Sequence, residues 1–253
     1  MLLVLDIGNT NITAGVFQDT ELVAHWRLAT EHEVTGDQLA VTLRGLFELR
    51  GLRFDQVIGV VVSSVVPPLA GAVQHLCREY FNRDPLVVGP GVKTGMAIDY
   101  EDPREVGADR VVNAVAAFEE HGGPCVVVDF GTATTLDAVS AEGHYLGGAI
   151  APGIQISLDA LFHHAAQLRR VELVRPRKAI GRNTVWSMQS GIIFGYSGLV
   201  MELIRRFREE LGEAKVIATG GLAALIAEQV EAISEVDPWL TLKGLRIIWE
   251  RNQ

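Results

Sequence analysis

The run Val4-Leu5-Asp6-Ile7-Gly8-Asn9-Thr10 returns about half a chain length later as Val127-Val128-Asp129-Phe130-Gly131-Thr132-Ala133. Each copy is an apolar strand pattern that ends in Asp-x-Gly and passes through small polar residues into a second apolar run. Asp6 aligns with Asp129 and Gly8 with Gly131. A copy of this kind constrains the fold more than any composition does. It predicts a duplicated βββαβ-type unit in which each half carries an Asp-x-Gly turn at a strand end, the two halves facing one another across a cleft. Glycine there lets backbone N–H groups approach an anion closely, while a carboxylate holds a cation beside it. Phosphate together with a metal ion is the chemistry this repeat favours.

The segments around the repeat fit that plan. Strand patterns at Leu2–Asp6, Thr13–Phe17 and Leu22–Leu28 precede a helical spacing of Leu39, Leu43, Leu46 and Leu49. Val57–Val62 then reads as a buried strand, and Pro67-Pro68 as a helix start. The second half runs from strands at Val126–Asp129, Thr135–Ser140 and His144–Ile150 to helices at 155–161 and 184–211. A strand at Lys215–Ala218 and the turn Thr219-Gly220-Gly221 complete it. Val60–Ser64 and Val216–Gly220 read as further counterparts. The expected division is 1–115 and 116–253, with the stretch after Leu225 the least informative.

A length of 253 residues with 48% hydrophobic and 21% charged residues suits a globular α/β protein with a sizeable core. The net charge of −9 argues against a nucleic-acid partner, which needs clustered Lys and Arg. The one basic cluster, Arg169, Arg170, Arg175, Arg177 and Lys178, reads as a solvated face or a subunit contact. The two cysteines, Cys77 and Cys125, lie in apolar patterns with no metal-ligand or disulfide spacing, which fits a reducing cytoplasm. A strand pattern from residue 2 with no basic stretch before it argues against a signal peptide. The apolar stretch 185–201 is interrupted by polar residues and glycines, so it predicts a buried helix and no membrane span. Gly191, Gly195 and Gly198 along it are expected to permit close helix packing, and His163 and His164 to be surface or packing residues.

Four glycine-containing segments from distant parts of the sequence are candidates for one ligand site: 6–13, 129–135, 147–153 and 219–222. Any one of them alone is an ordinary tight turn. In register with the repeat, the first two would face phosphates and the Gly220-Gly221 turn could admit the flat face of a nucleoside. A further group, Gly107-Ala108-Asp109-Arg110, falls where a helix begins. A carboxylate is favoured there by the helix dipole alone. The same position also keeps Asp109 ionised for taking a proton from a hydroxyl, with Arg110 available to a substrate carboxylate.

These motifs together resemble the type III pantothenate kinases, of the acetate kinase, sugar kinase, heat-shock-protein-70 and actin superfamily. Matching segments include Asp6–Thr10, Gly95-Met96 through Tyr100, Pro103 with Val106–Arg110, and Asp129-Phe130-Gly131-Thr132-Ala133-Thr134-Thr135. They continue through Gly147–Gly153, Met188–Gly191 and Thr219–Gly221. The resemblance implies an α/β fold of duplicated ribonuclease H-like, actin-like ATPase domains, with mixed sheets facing a central cleft. It implies ATP-dependent phosphorylation of pantothenate on its primary hydroxyl, the first step towards coenzyme A, in a cytoplasmic homodimer. Carried over by motif, Asp109 would be the general base. Asp6, Ile7, Gly8, Asn9, Thr10, Asn11, Ile12 and Thr13, with Thr132, would hold ATP. Tyr100, Gly107, Ala108, Asp109, Arg110 and Thr184 would hold pantothenate. Asp129 would bind a monovalent cation, K+ or NH4+, and Mg2+ would come with ATP. The helix beginning at Thr184 would supply much of the dimer interface. Two other readings stay open from the residues alone: another small-molecule kinase of this superfamily, and an ATP-switched regulator without enzymatic activity.

Overall fold

The computed structural model describes residues 1–164, 168 and 170–253. Its contacts divide the chain into two units. The first comprises Met1–Met96, Glu101–Ala116 and Leu240–Gln253, and the second Ala97–Tyr100 with Ala117–Trp239.

The first unit is built on strands β1 (Leu2–Ile7), β2 (Asn11–Gln18), β3 (Glu21–Ala29), β4 (Gly59–Ser64) and β5 (Leu86–Val87), ordered β3-β2-β1-β4-β5. β1 pairs antiparallel with β2 and parallel with β4, so it lies at the centre and is apolar on both faces. Leu3, Leu5 and Ile7 face helices α1 (Gly36–Leu49) and α2 (Ala70–Phe81) in a core with Leu43, Phe47 and Leu76. Helix α1 starts at a capping box in which Thr35 and Gln38 satisfy each other's backbone N–H groups. Helix α2 follows a single 3-10 turn at Pro67–Leu69 and stops at Asn82 in the left-handed region.

The second unit repeats the order. After helix α3 (Ala108–His121), strands β6 (Cys125–Phe130), β7 (Ala133–Val139), β8 (Tyr145–Pro152), β9 (Lys215–Thr219) and β10 (Glu235–Val236) form the sheet β10-β9-β6-β7-β8. β6 takes the place of β1, antiparallel to β7 and parallel to β9. Val126, Val128, Phe130 and Leu136 face helices α4 (Ile154–His164), α5 (Thr184–Leu211) and α6 (Ala223–Ala227), through Leu158, Ile193 and Ile226 among others. The duplication read from two short motifs therefore extends to strand order and pairing sense.

Helix α7 (Leu240–Arg251) departs from the expected division, which placed it with the second half. Its apolar face, with Leu240, Leu242, Leu245 and Ile248 buried, packs on β1, β2 and β4. Leu242 lies against Gly15 and the Trp249 indole against Gly59, where any side chain would collide. At its end Arg251 donates to Thr94 O, and Asn252 bonds both the N–H and the carbonyl of Lys93. Chain order put this helix in one half, and the apolar surface it must cover puts it in the other. The break between units falls inside α3, between Ala116 and Ala117.

Both cysteines are fully buried, and burial pushes each thiol up to about 12, so neither is a reactive thiolate. His163 and His164 are exposed at the end of α4, with His163 edge-on to Phe162. Within the basic cluster, Arg170 pairs with Asp159 and lies over the Phe162 ring, while Arg169 is outside the described residues. The three α5 glycines have no packed neighbour among the described residues of this chain. A Cβ at Gly191, Gly195 or Gly198 would meet no atom within 4 Å among the described residues.

Candidate functional site

Each unit presents its Asp-x-Gly turn in the same way. In the first, β1 ends at Ile7 and the chain reverses through Gly8, Asn9 and Thr10 into β2, closed by Gly8 N–H donating to Asn11 O at 3.0 Å. Ile7 and Ile12 point into the core, so they can offer a ligand only their backbone. Asn9 and Thr10 are exposed at the tip, and Asp6 is half-buried beneath it. Register places Thr13 of β2 and Ser63 of β4 on either side of Asp6, on one sheet face. Thr30, which the sequence did not single out, fixes this tip. Its hydroxyl donates to Gly8 O at 2.6 Å, and its N–H to Thr10 O at 3.0 Å.

In the second unit, Asp129 occupies the corresponding place between Thr135 of β7 and Thr219 of β9. Two glycine turns close over its carboxylate. A Cβ at Gly220 would sit 2.5 Å from Asp129 Oδ1, and one at Gly131 would sit 3.3 Å from the same atom. Gly220 also has φ +93°, a conformation other residues adopt at a cost. The Gly220-Gly221 turn, expected to admit a nucleoside, thus lies directly against Asp129. Thr132 is exposed at the β6–β7 turn, and Gly153 at the end of β8 packs against the carbonyl of Thr132.

Asp109 stands in the first turn of α3. A single 3-10 turn at Pro103–Glu105, capped by Asp102, leads in through buried Val106. The Asp109 carboxylate folds back to accept the Arg110 backbone N–H at 2.9 Å. That geometry requires the glycine before it, since a Cβ at Gly107 would lie 2.6 Å from Asp109 Oδ1. Gly107 O in turn accepts from the N–H groups of Arg110 and Val111, starting the helix. Burial pushes the Asp109 carboxyl above its ordinary value, and the Arg110 N–H and guanidinium pull against it. Ala108, between Gly107 and Asp109, begins the helix, and the Arg110 side chain is itself buried.

Tyr100 belongs to the second unit. The short segment Ala97–Tyr100 adds to the sheet beside β8: Tyr145 N–H donates to Ala97 O and Asp99 N–H to Tyr145 O, both at 2.8 Å. Asp99 also bonds His144 at 2.9 Å. The Tyr100 ring consequently lies over Gly147, tilted against the Tyr145 ring at 6.5 Å between centroids. Thr184 is exposed at the start of α5, whose first turn is capped by Asn183.

Among the described residues no group of three or more His, Cys, Asp or Glu side chains is placed to hold a metal ion. A single carboxylate at a strand end, with hydroxyl-bearing residues beside it, suits a different kind of site. Cations at phosphate sites are commonly held through one or two carboxylates, with substrate phosphates and water completing the shell, and Asp6 and Asp129 each offer a hard oxygen donor of that kind. Among the described residues no helix is long and apolar enough to cross a membrane.

A family model described as type III pantothenate kinase matches residues 2–206. The chain is 55% identical to the type III pantothenate kinase of Pelobacter propionicus over 254 aligned residues, covering both chains completely. It is also 55% identical to the type III pantothenate kinase of Moorella thermoacetica, again over the full length of both. Among solved structures it shares its fold with the ethanolamine utilization protein EutJ of Carboxydothermus hydrogenoformans. That match has a TM-score of 0.58 at 17% identity and covers 97% of this chain and 89% of the other.

Proposed function

Because the chain belongs to the type III pantothenate kinase family, we infer that it transfers the γ-phosphoryl group of ATP to the primary hydroxyl of pantothenate, the first step towards coenzyme A. The observation that carries this reading is the full-length 55% identity to curated kinases of that name. In the reaction the hydroxyl oxygen bonds to the γ-phosphorus as the bond to the β–γ bridging oxygen breaks, and ADP leaves with that electron pair. Asp109 takes the hydroxyl proton. Burial raises its pKa, which makes the ionised form a stronger base than an ordinary carboxylate. The tip at Gly8–Thr13 and Thr132 hold the phosphates through backbone N–H and hydroxyl groups. Mg2+ carried with ATP neutralises the charge that develops on the phosphates. Asp129 holds a monovalent cation, K+ or NH4+. The decisive assay follows ADP release with pantothenate, glucose, acetate or no acceptor. Turnover only with pantothenate supports the reading, and equal turnover with glucose or acetate sinks it.

Arg110 and Tyr100, with Gly107 and Ala108, are the residues we assign to pantothenate recognition. Pantothenate offers a carboxylate to the guanidinium and a compact dimethyl group to an aromatic wall. Arg110→Ala should raise the KM for pantothenate about ten- to a hundredfold, the loss of one charge-assisted contact, and leave the KM for ATP near its original value. A fall in kcat with both KM values unmoved would mean that Arg110 only orients Asp109.

We also assign a homodimer in the cytoplasm, with no nucleic-acid partner. Ile156 and Leu161 of α4, Ile180, and Val185 and Trp186 of α5 are large apolar side chains left exposed, Ile180 at 84% and Trp186 at 52%. Apolar exposure gathered on two neighbouring elements is the mark of an interface, and the open α5 glycines would let a second helix approach closely. Thr184 at that helix's start would then reach the partner's substrate. Trp186→Glu should convert the dimer to a monomer by light scattering at micromolar concentration. A wild-type chain that is already monomeric there would refute the interface.

A further inference from the structure

Ser63 is a residue of the first unit whose chemistry nothing above uses. It lies at the end of β4, fully buried, and its hydroxyl has no hydrogen-bond partner among the described residues. A buried hydroxyl without a partner is costly, so such groups are rare unless something else satisfies them. The parallel pairing of β1 and β4 sets Ser63 directly beside Asp6, on the same sheet face. The second unit has the same arrangement, with the Thr219 hydroxyl residue beside Asp129. Both copies of the duplicated unit thus place a hydroxyl-bearing residue next to the acidic one, on the strand parallel to it. Ser64, one residue on, is committed to the turn, its hydroxyl accepting the Val66 N–H at 3.2 Å.

We propose that Ser63 is a positioning residue for Asp6: its hydroxyl finds its acceptor when the Asp6 carboxylate turns towards Mg2+-bound ATP, and holds the carboxylate in that orientation. The proposal rests on the reading that ATP binds at the Asp6–Thr13 turn. A hydrogen bond made only in the nucleotide-bound state has an unusual signature. Removing it leaves the free protein as stable as before, or more so, because the orphaned hydroxyl goes with it.

The test is Ser63→Ala, a change that shortens the side chain by one atom. Thermal melting of the free protein should stay within about 1 °C of wild type or rise. The melting shift produced by saturating wild-type levels of Mg2+ and ATP, read without any acceptor, should shrink. In turnover, the Mg2+ concentration for half-activation should rise about tenfold, the loss of one hydrogen bond to a charged group. The KM for pantothenate should stay within about twofold. Ser63 is instead a structural residue if the free variant melts several degrees lower. The proposal also fails if the Mg2+–ATP shift and activation constant match wild type, or if the effect appears in the pantothenate KM. Because the melting shift needs no acceptor, a wild-type protein that ignores pantothenate but is stabilised by Mg2+ and ATP would sink the functional reading and leave Ser63 testable.

Discussion

Asp109→Asn should lower kcat by about 10²-fold or more, the range for loss of a general base, with the melting shift produced by Mg2+ and ATP intact. The amide keeps the size of the carboxylate and its oxygen can still accept the Arg110 N–H, so the start of α3 should survive. What is lost is the ability to take a proton. The pKa direction adds two expectations. Burial disfavours the ionised form, so the rate of the wild-type enzyme should fall on the acid side through a pKa above that of an ordinary carboxylate. The same group contributes to folding stability below the ordinary carboxylate pKa, and that contribution is lost as pH rises through the raised folded value. Wherever Asp109 is ionised it is therefore a cost to the fold, and above its folded pKa Asp109→Asn should melt at the same temperature as wild type or higher. Steady-state kinetics across pH with melting curves on both proteins checks all three. A variant that retains near-wild-type turnover removes Asp109 from the chemistry.

Asp129→Ala should depress turnover on the order of 10²-fold, the scale for losing one preorganised charge-stabilising contact. The carboxylate lies under the Gly220 and Gly131 turns, so its removal deprives the site of its oxygen donor without opening the apolar core beneath β6. If the donor serves a monovalent cation, replacing potassium by sodium at constant ionic strength should depress the wild-type rate sharply, and ammonium should restore it. The Ala variant should respond to neither exchange. Equal wild-type rates in potassium and sodium would end the monovalent role of Asp129 and leave the phosphoryl transfer itself untouched.

The features legible in the sequence are those written locally. Asp6 and Asp129, with the glycines that follow, announce themselves because a carboxylate at a strand end and a glycine two residues on are both positional requirements. Gly107 was recognised by its motif, but the reason for it, the fold-back of Asp109, needs coordinates. Thr30 and Ser63 could not be found this way. Thr30 acts on Gly8 and Thr10 from the far end of β3, and Ser63 meets Asp6 only through a parallel pairing that skips about fifty residues of chain. Helix α7 illustrates the same limit at a larger scale. The spacing of Leu242, Leu245 and Ile248 carries a helical period, but no period states which sheet a helix will cover. A helix pattern likewise does not say whether the neighbour of the α5 glycines lies in the same chain, and among the described residues none does.

The return of α7 to the first sheet also orders events during synthesis. Residues 97–100 and 117–239 form a unit whose whole sequence is synthesised before residues 240–253 are added. The first unit's sheet can form early, yet the face holding Val4, Gly15 and Gly59 has no cover until α7 emerges. Domains usually fold as units in N-to-C order during synthesis. Here the embedded unit is complete first, and the one that begins the chain is finished last, when Arg251 and Asn252 reach back to Lys93 and Thr94. In the interval the nascent protein carries an unsealed apolar surface, the kind of surface a holding chaperone recognises.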